Sequence, residues 1–198
     1  MTETMQGQKK KGEKNNEEYG FIPYQRVDIY NYKHLTPTEI IRKVIEIEQP
    51  IHADELCRRV VTLFFGAQRI SKNIKKNVLL TMRTPDSLNR RLYDEIQYDG
   101  YFAKMKTFDQ LQVRVPNRND EYIRSIQHIP DDELGMAMMI IAKASNGLTP
   151  ENLLIETARE FGFKRAGENV INCLRKVYRK LLKVEKIVEV DGKVHVLS

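Results

Sequence analysis

The chain has 198 residues, enough for one medium domain or two small ones. Its 41% hydrophobic and 30% charged residues suit helices with one apolar and one charged face, and no apolar run reaches the roughly 18 residues of a membrane span or forms a signal-peptide core, so a cytoplasmic protein is expected. A net charge of +6 makes an acidic partner such as nucleic acid a candidate, while Cys57 and Cys173, with no CxxC or Cys/His cluster around them, read as buried structural thiols.

Residues 1–20, with Lys9, Lys10, Lys11 and Lys14 and almost nothing apolar, read as a disordered basic tail. From Phe21 to about Tyr32 the chain gains aromatic and β-branched residues and is expected to lie as an extended arm across the first domain. Thr36-Pro37-Thr38-Glu39 is a helix start with a capping box, and Ile40, Ile41, Val44 and Ile45 give that helix a buried stripe through about Glu48. After the stop at Gln49-Pro50, Ile51 is a short extended residue, and a second helix follows from about Ala53 to Phe64. A third, from about Gln68 to Met82, has Ile70, Ile74, Val78 and Met82 on one stripe and Arg69, Lys72, Lys75 and Lys76 on the other. Thr84 to Ser87 breaks it, with a turn or two of helix possible before Asp94. Strands from Glu95 to Tyr98 and Tyr101 to Met105 then flank Asp99-Gly100, which suits a type I′ turn. Leu111 to Pro116 reads as a third strand or a packed linker.

The programme then repeats. Phe65-Gly66 and Phe161-Gly162 are matching stops, each followed by an Arg (Arg69, Arg165) and an Asn (Asn73, Asn169). Leu134 corresponds to Ile40, Leu153 to Leu56, and Asp191-Gly192 to Asp99-Gly100. In this half the helices run from about Asp131 to Ala144, from Thr149-Pro150 to the Phe161-Gly162 stop, and from about Lys164 to Lys183, before a terminal hairpin. The expected fold is mainly α with small β hairpins (α+β), as two tandem winged-helix domains. Residues 21–116 form the first with its arm, 117–127 the linker and 128–198 the second.

The run Pro50-Ile51-His52-Ala53-Asp54-Glu55-Leu56-Cys57-Arg58-Arg59-Val60, together with Ile22-Pro23-Tyr24, Leu35-Thr36-Pro37, Gly66-Ala67-Gln68-Arg69 and Val113-Arg114-Val115-Pro116, carries a family resemblance. From Phe21 onward the chain resembles the domain of unknown function at the C-terminus of large microbial superfamily-one helicase-like proteins, many of which also have a restriction-endonuclease-like domain. The resemblance implies a role in engaging DNA or partner subunits and implies no catalytic residues. The helicase and nuclease portions are absent from this chain, so the expected role is that of a separate accessory subunit.

In a helix-turn-helix the second helix of the motif enters the major groove. The nucleic-acid-binding candidates are therefore Arg69, Lys72, Lys75, Lys76 and Arg83 in the first repeat, with Lys104 in its wing. In the second they are Arg165, Lys176, Arg179 and Lys183, where Glu168 replaces Lys72 at the helix start. Lysines mostly contact phosphate, which gives affinity more than sequence choice. Asn73 and Asn169 read as structural residues bonding loop carbonyls. His52 reads as a helix cap, because the four histidines are scattered singly and no HExxH, GxxxxGK, GxSxG or paired acid/base spacing appears. The expectation is thus no enzyme, cofactor, metal or small-molecule substrate. Double-stranded DNA and a helicase or nuclease subunit are the expected partners. The alternatives are a protein-docking module and, ranked lower, a stand-alone transcriptional regulator.

Overall fold

The computed structural model describes residues 20–28, 34–65, 71–83, 94–117, 122–145 and 147–197, apart from the side chains of 64, 65 and 81–83. The basic tail, the Gly66 stop, Arg69, the side chain of Arg83, the break at 84–87 and the segment up to Tyr93 lie outside the described residues. The fold is α+β, with six α-helices and three small sheets among the described residues.

Helix α1 (Pro37–Glu48) starts as its sequence dictates. The Thr36 hydroxyl accepts the Glu39 N–H, and the Glu39 carboxylate accepts the Thr36 N–H at 2.8 Å, so two otherwise orphaned donors are satisfied. Strand β2 (Ile51–His52) leads directly into α2 (Ala53–Phe65), and α3 (Lys72–Arg83) follows. Strands β3 (Ile96–Asp99) and β4 (Phe102–Met105) form a hairpin, and β2 adds to it on the β4 side, giving the order β2-β4-β3. One apolar core joins these elements through Ile40, Ile41, Val44, Ile45, Leu56, Val60, Ile96 and Ala103.

The second lobe comprises α4 (Asp131–Ala144), α5 (Pro150–Glu160) and α6 (Glu168–Lys183), closed by the hairpin β6 (Ile187–Val190) and β7 (Lys193–Val196). Here the Val194 N–H donates to the Leu148 carbonyl at 2.8 Å, a backbone tie in the place that β2 fills in the first lobe. Its own core packs Leu134, Met138, Leu153, Phe161, Leu174 and Ile187. Gly162 stops α5 with φ +87°, and a Cβ there would lie 2.8 Å from Pro116 Cγ, so the glycine is needed for conformation and for close approach together.

Several sequence expectations shift. Both third helices begin later than the apolar periodicity suggests, at Lys72 rather than Gln68 and at Glu168 rather than Lys164. Ser71 Oγ accepts the Ile74 N–H at 3.2 Å and so caps α3, while Gly167 takes the capping position of α6. Arg165 therefore precedes its helix. In the first hairpin Asp99 pairs with Phe102, which makes Gly100-Tyr101 the two-residue loop instead of Asp99-Gly100. With φ +59° at Gly100 and no positive φ at Tyr101, the loop has glycine where a type II′ turn requires it. Asp191-Gly192 keeps positive φ at both positions, as type I′ demands.

The arm does not lie on the first lobe alone. Strand β1 (Phe21–Pro23) pairs in parallel with β5 (Val113–Val115), and Phe21, Val113 and Val115 enter the second core, whereas Val27 enters the first. Hydrophobic pattern shows that these residues are buried but not in which core. Cys57 is buried as expected, but Cys173 is only half-buried, at the edge of the apolar stripe of α6. Asn73 and Asn169 are both exposed, where a bond to a buried loop carbonyl is not required.

Candidate nucleic-acid interface and the buried joint behind it

Lys72 and Lys76 are exposed on α3, and with Lys75, Leu79 and Leu80 they line one shallow depression. Lys75 differs from its neighbours: its ammonium sits 2.5 Å from Asp54 Oδ1 on α2, so its charge is already partnered. On α6, Lys176, Arg179 and Lys183 are exposed and recur at three- and four-residue spacing along one face. Lys180, beside them, lies 3.7 Å from Asp132. Arg165 is exposed in the loop before α6, and Lys104 is half-buried on β4. Among the described candidates, Lys72, Lys75 and Lys76 lie on α3 and Lys176, Arg179 and Lys183 on α6, with Arg165 and Lys104 in neither group.

Several residues that carry the family resemblance, Arg114 and His52 among them, lie instead at the contact between the lobes. Glu48, at the end of α1, is buried to 1% exposure. Its carboxylate accepts from Arg59 Nε at 2.9 Å, from the Tyr24 hydroxyl at 2.9 Å and from the Val27 N–H at 2.9 Å. A buried charge is tolerated only when its lone pairs are met in this way. Burial and the Glu48 carboxylate push the Tyr24 phenol far above its ordinary value, which keeps it a hydrogen-bond donor at any working pH.

Arg114, on β5, connects this acid's helix to the second lobe. Its guanidinium donates to the backbone carbonyls of Glu48 (2.8 Å), Gln49 (2.7 Å) and Pro50 (3.1 Å), and also to Glu133 Oε2 at 2.6 Å. Glu133, in the first turn of α4, is fully buried and accepts from Arg124 as well, at 2.6 Å. Arg124 in turn bonds the Arg114 carbonyl and stands over the Tyr24 ring, 4.5 Å from its centroid. Burial alone would raise the Glu133 carboxyl, but Arg124 and Arg114 outweigh it and hold the group below the usual range.

That direction fixes a pH dependence. A carboxyl depressed in the folded state stabilises fully above its unfolded value of 4.5 and loses that contribution as pH falls through the lower folded value. Urea midpoints measured at pH 7, 4.5 and 3 are expected to fall below pH 4.5, and Glu133→Gln should flatten part of the fall. An unchanged profile in that variant would remove Glu133 from the acid response.

A second cluster adjoins this joint. His52 Nδ1 accepts the Asp54 N–H at 3.2 Å, so His52 does cap α2. Its ring also stacks on His128, with centroids 4.3 Å apart and planes 13° from parallel. Burial and the neighbouring His128 push His52 below its ordinary value, which favours the neutral ring. His128 Nδ1 is buried, and Glu55 Oε2 at 3.7 Å is too far away to be a hydrogen-bond partner. Burial would raise Glu55, yet its contacts with His128 and Tyr122 and the charge of Arg58 keep it low. For Asp54 the opposing pull comes from Lys75. Sequence reasoning saw four scattered histidines; the packing of the 3-10 turn Ile126–His128 against β2 brings two of them together. No local spacing could have shown this.

A family model described as Protein of unknown function (DUF3320) matches residues 38–76, from α1 into the first turns of α3. The chain is similar to that uncharacterised family over this stretch, which contains Glu48, His52, Asp54, Glu55 and Arg59. No curated protein and no solved structure matches the chain.

Proposed function

We propose that the chain is a tandem winged-helix protein that binds duplex DNA, chiefly through phosphates, as a non-catalytic cytoplasmic accessory subunit of a helicase- or nuclease-type machine. The observation that carries this reading is the row of exposed cations on α3, Lys72 and Lys76, placed on the third helix of a lobe whose sheet order is β2-β4-β3. The exposed row Lys176, Arg179 and Lys183 on α6 supports a second contact, nearer that helix's C-terminus. There the same cations also complement the helix dipole, which makes α6 the weaker surface.

Fluorescence anisotropy of a labelled duplex with the full chain tests the reading. Binding should weaken with salt along a log–log slope near −0.9 for each phosphate neutralised. Absence of salt-sensitive binding at low ionic strength would overturn direct DNA contact.

A second reading, docking onto another protein, is favoured by Leu80, which is 49% exposed beside the lysines, and by the Lys75–Asp54 pair, which leaves that surface mixed in charge. Partner assembly that survives charge reversal on α3, in a chain that never bound DNA, would select it.

A further inference from the structure

The cluster behind α3 has chemistry that DNA binding does not use. His52 ends β2, Asp54 sits in the first turn of α2, and His128 closes the 3-10 turn ahead of α4. A potential ligand atom from each lies within 4.8 Å of the other two. We propose that His52, Asp54 and His128 bind one divalent transition-metal ion of the zinc class at the junction of the two lobes, with water completing the coordination.

The donor set selects the metal. Two imidazoles and one carboxylate suit Zn²⁺, Co²⁺ or Ni²⁺, whereas Mg²⁺ and Ca²⁺ prefer all-oxygen shells. Three protein ligands plus water form a familiar four-coordinate zinc arrangement. Metal–ligand bonds of about 2.0–2.1 Å at tetrahedral angles separate the donors by about 3.4 Å, against up to 4.8 Å here, and one of the two stacked imidazoles must turn out of its near-parallel stack on loading so that both in-plane lone pairs meet the ion. His52 accepts at Nδ1, which places its lone pair on the side of the turn carrying Asp54; coordination there replaces a 3.2 Å bond from the Asp54 amide. Around the ligands, Glu55 stands beside His128 Nδ1, where a carboxylate can orient a metal-bound ring. The Lys75 ammonium lies 2.5 Å from Asp54 Oδ1, so an ion takes the other carboxylate oxygen and displaces Lys75 from the pair.

The ligands come from both lobes, so an ion here ties them together.

The test is a Co²⁺ titration of the full chain, first freed of metal by chelation, followed by visible absorption, with Zn²⁺ as the competing ion. One Co²⁺ per chain with the intense d–d bands of a four-coordinate site is expected. His52→Ala, His128→Ala and Asp54→Asn should each weaken binding at least about 10-fold, whereas His34→Ala and His195→Ala should leave it unchanged. Proton resonances of the His52 and His128 rings should shift on Zn²⁺ addition in the unaltered chain, while those of His34 and His195 stay in place, a readout that needs no variant to fold. Affinity unchanged in His52→Ala or His128→Ala, thiolate charge-transfer bands that place the ion on cysteine, or ring resonances that do not move would overturn the proposal.

Discussion

Arg114→Ala is expected to cost about 3–5 kcal/mol of unfolding free energy, the usual consequence of removing one member of a buried ion pair. The guanidinium is only 8% exposed, and its loss strands Glu133, which is 0% exposed, along with three backbone carbonyls at the end of α1. Arg124 remains on Glu133, so the acid keeps one partner and the lower part of that range is the better guide. In a chain of this length the loss corresponds to a fall in Tm of about 6–20 °C. Arg114→Lys should recover little of it, because one ammonium cannot reach the carbonyls and the carboxylate at once as the planar fork does. Urea unfolding of the two variants beside the unaltered chain measures the effect. A cost for Arg114→Ala below about 1 kcal/mol would put the pair on the scale of a surface ion pair and contradict its burial.

The second large effect concerns function. Reversing Lys72 and Lys76 together to Glu should weaken duplex binding roughly 50-fold at 0.1 M salt and flatten the salt slope by about 2, one unit for each phosphate that is no longer neutralised. Both side chains are exposed, so stability should be little changed. Lys75→Ala should do much less to DNA affinity, because that ammonium is held 2.5 Å from Asp54 Oδ1. Anisotropy over a salt series distinguishes the variants. Equal losses from Lys75→Ala and from the double reversal would mean that Lys75 leaves Asp54 to meet DNA.

Much of the secondary structure was legible because it is encoded locally. The capping box at Thr36 and Glu39, the apolar stripe of α1 and the turn at Asp191-Gly192 each need only a few neighbouring residues to specify them. Errors collected where two local solutions compete. The stretch Asp99-Gly100-Tyr101 can form a two-residue loop in either register, and the pairing of Asp99 with Phe102 decides it. The third helices start late: the Ser71 hydroxyl caps α3 ahead of an apolar period that extends further back, and Gly167 is extended at the start of α6 with no side-chain cap. What could not be read was the joint. Arg59 and Glu48 are only 11 residues apart, but Arg114 reaches carbonyls 64 to 66 residues earlier, and His52 meets its partner ring across the lobes. The motif residues were visible as a pattern; that several of them form a contact between lobes follows only from tertiary packing. For α3, helical spacing set Lys72 and Lys76 away from Ile74 and Val78, but that Lys75 is half-buried beside Leu79 and paired with Asp54 needed coordinates.

The network around Arg114 also orders events in time. Glu48 finds its arginine 11 residues later in the chain, within its own lobe. Arg114 has no such provision, because its carboxylate lies 19 residues downstream, about 1–4 s of synthesis at 5–20 residues per second. On the ribosome, then, the first lobe can neutralise its buried acid as soon as α2 is available. Arg114 can bond the carbonyls of Glu48, Gln49 and Pro50 as soon as it is made, but it lacks its carboxylate until α4 emerges, so the ion pair between the lobes closes late.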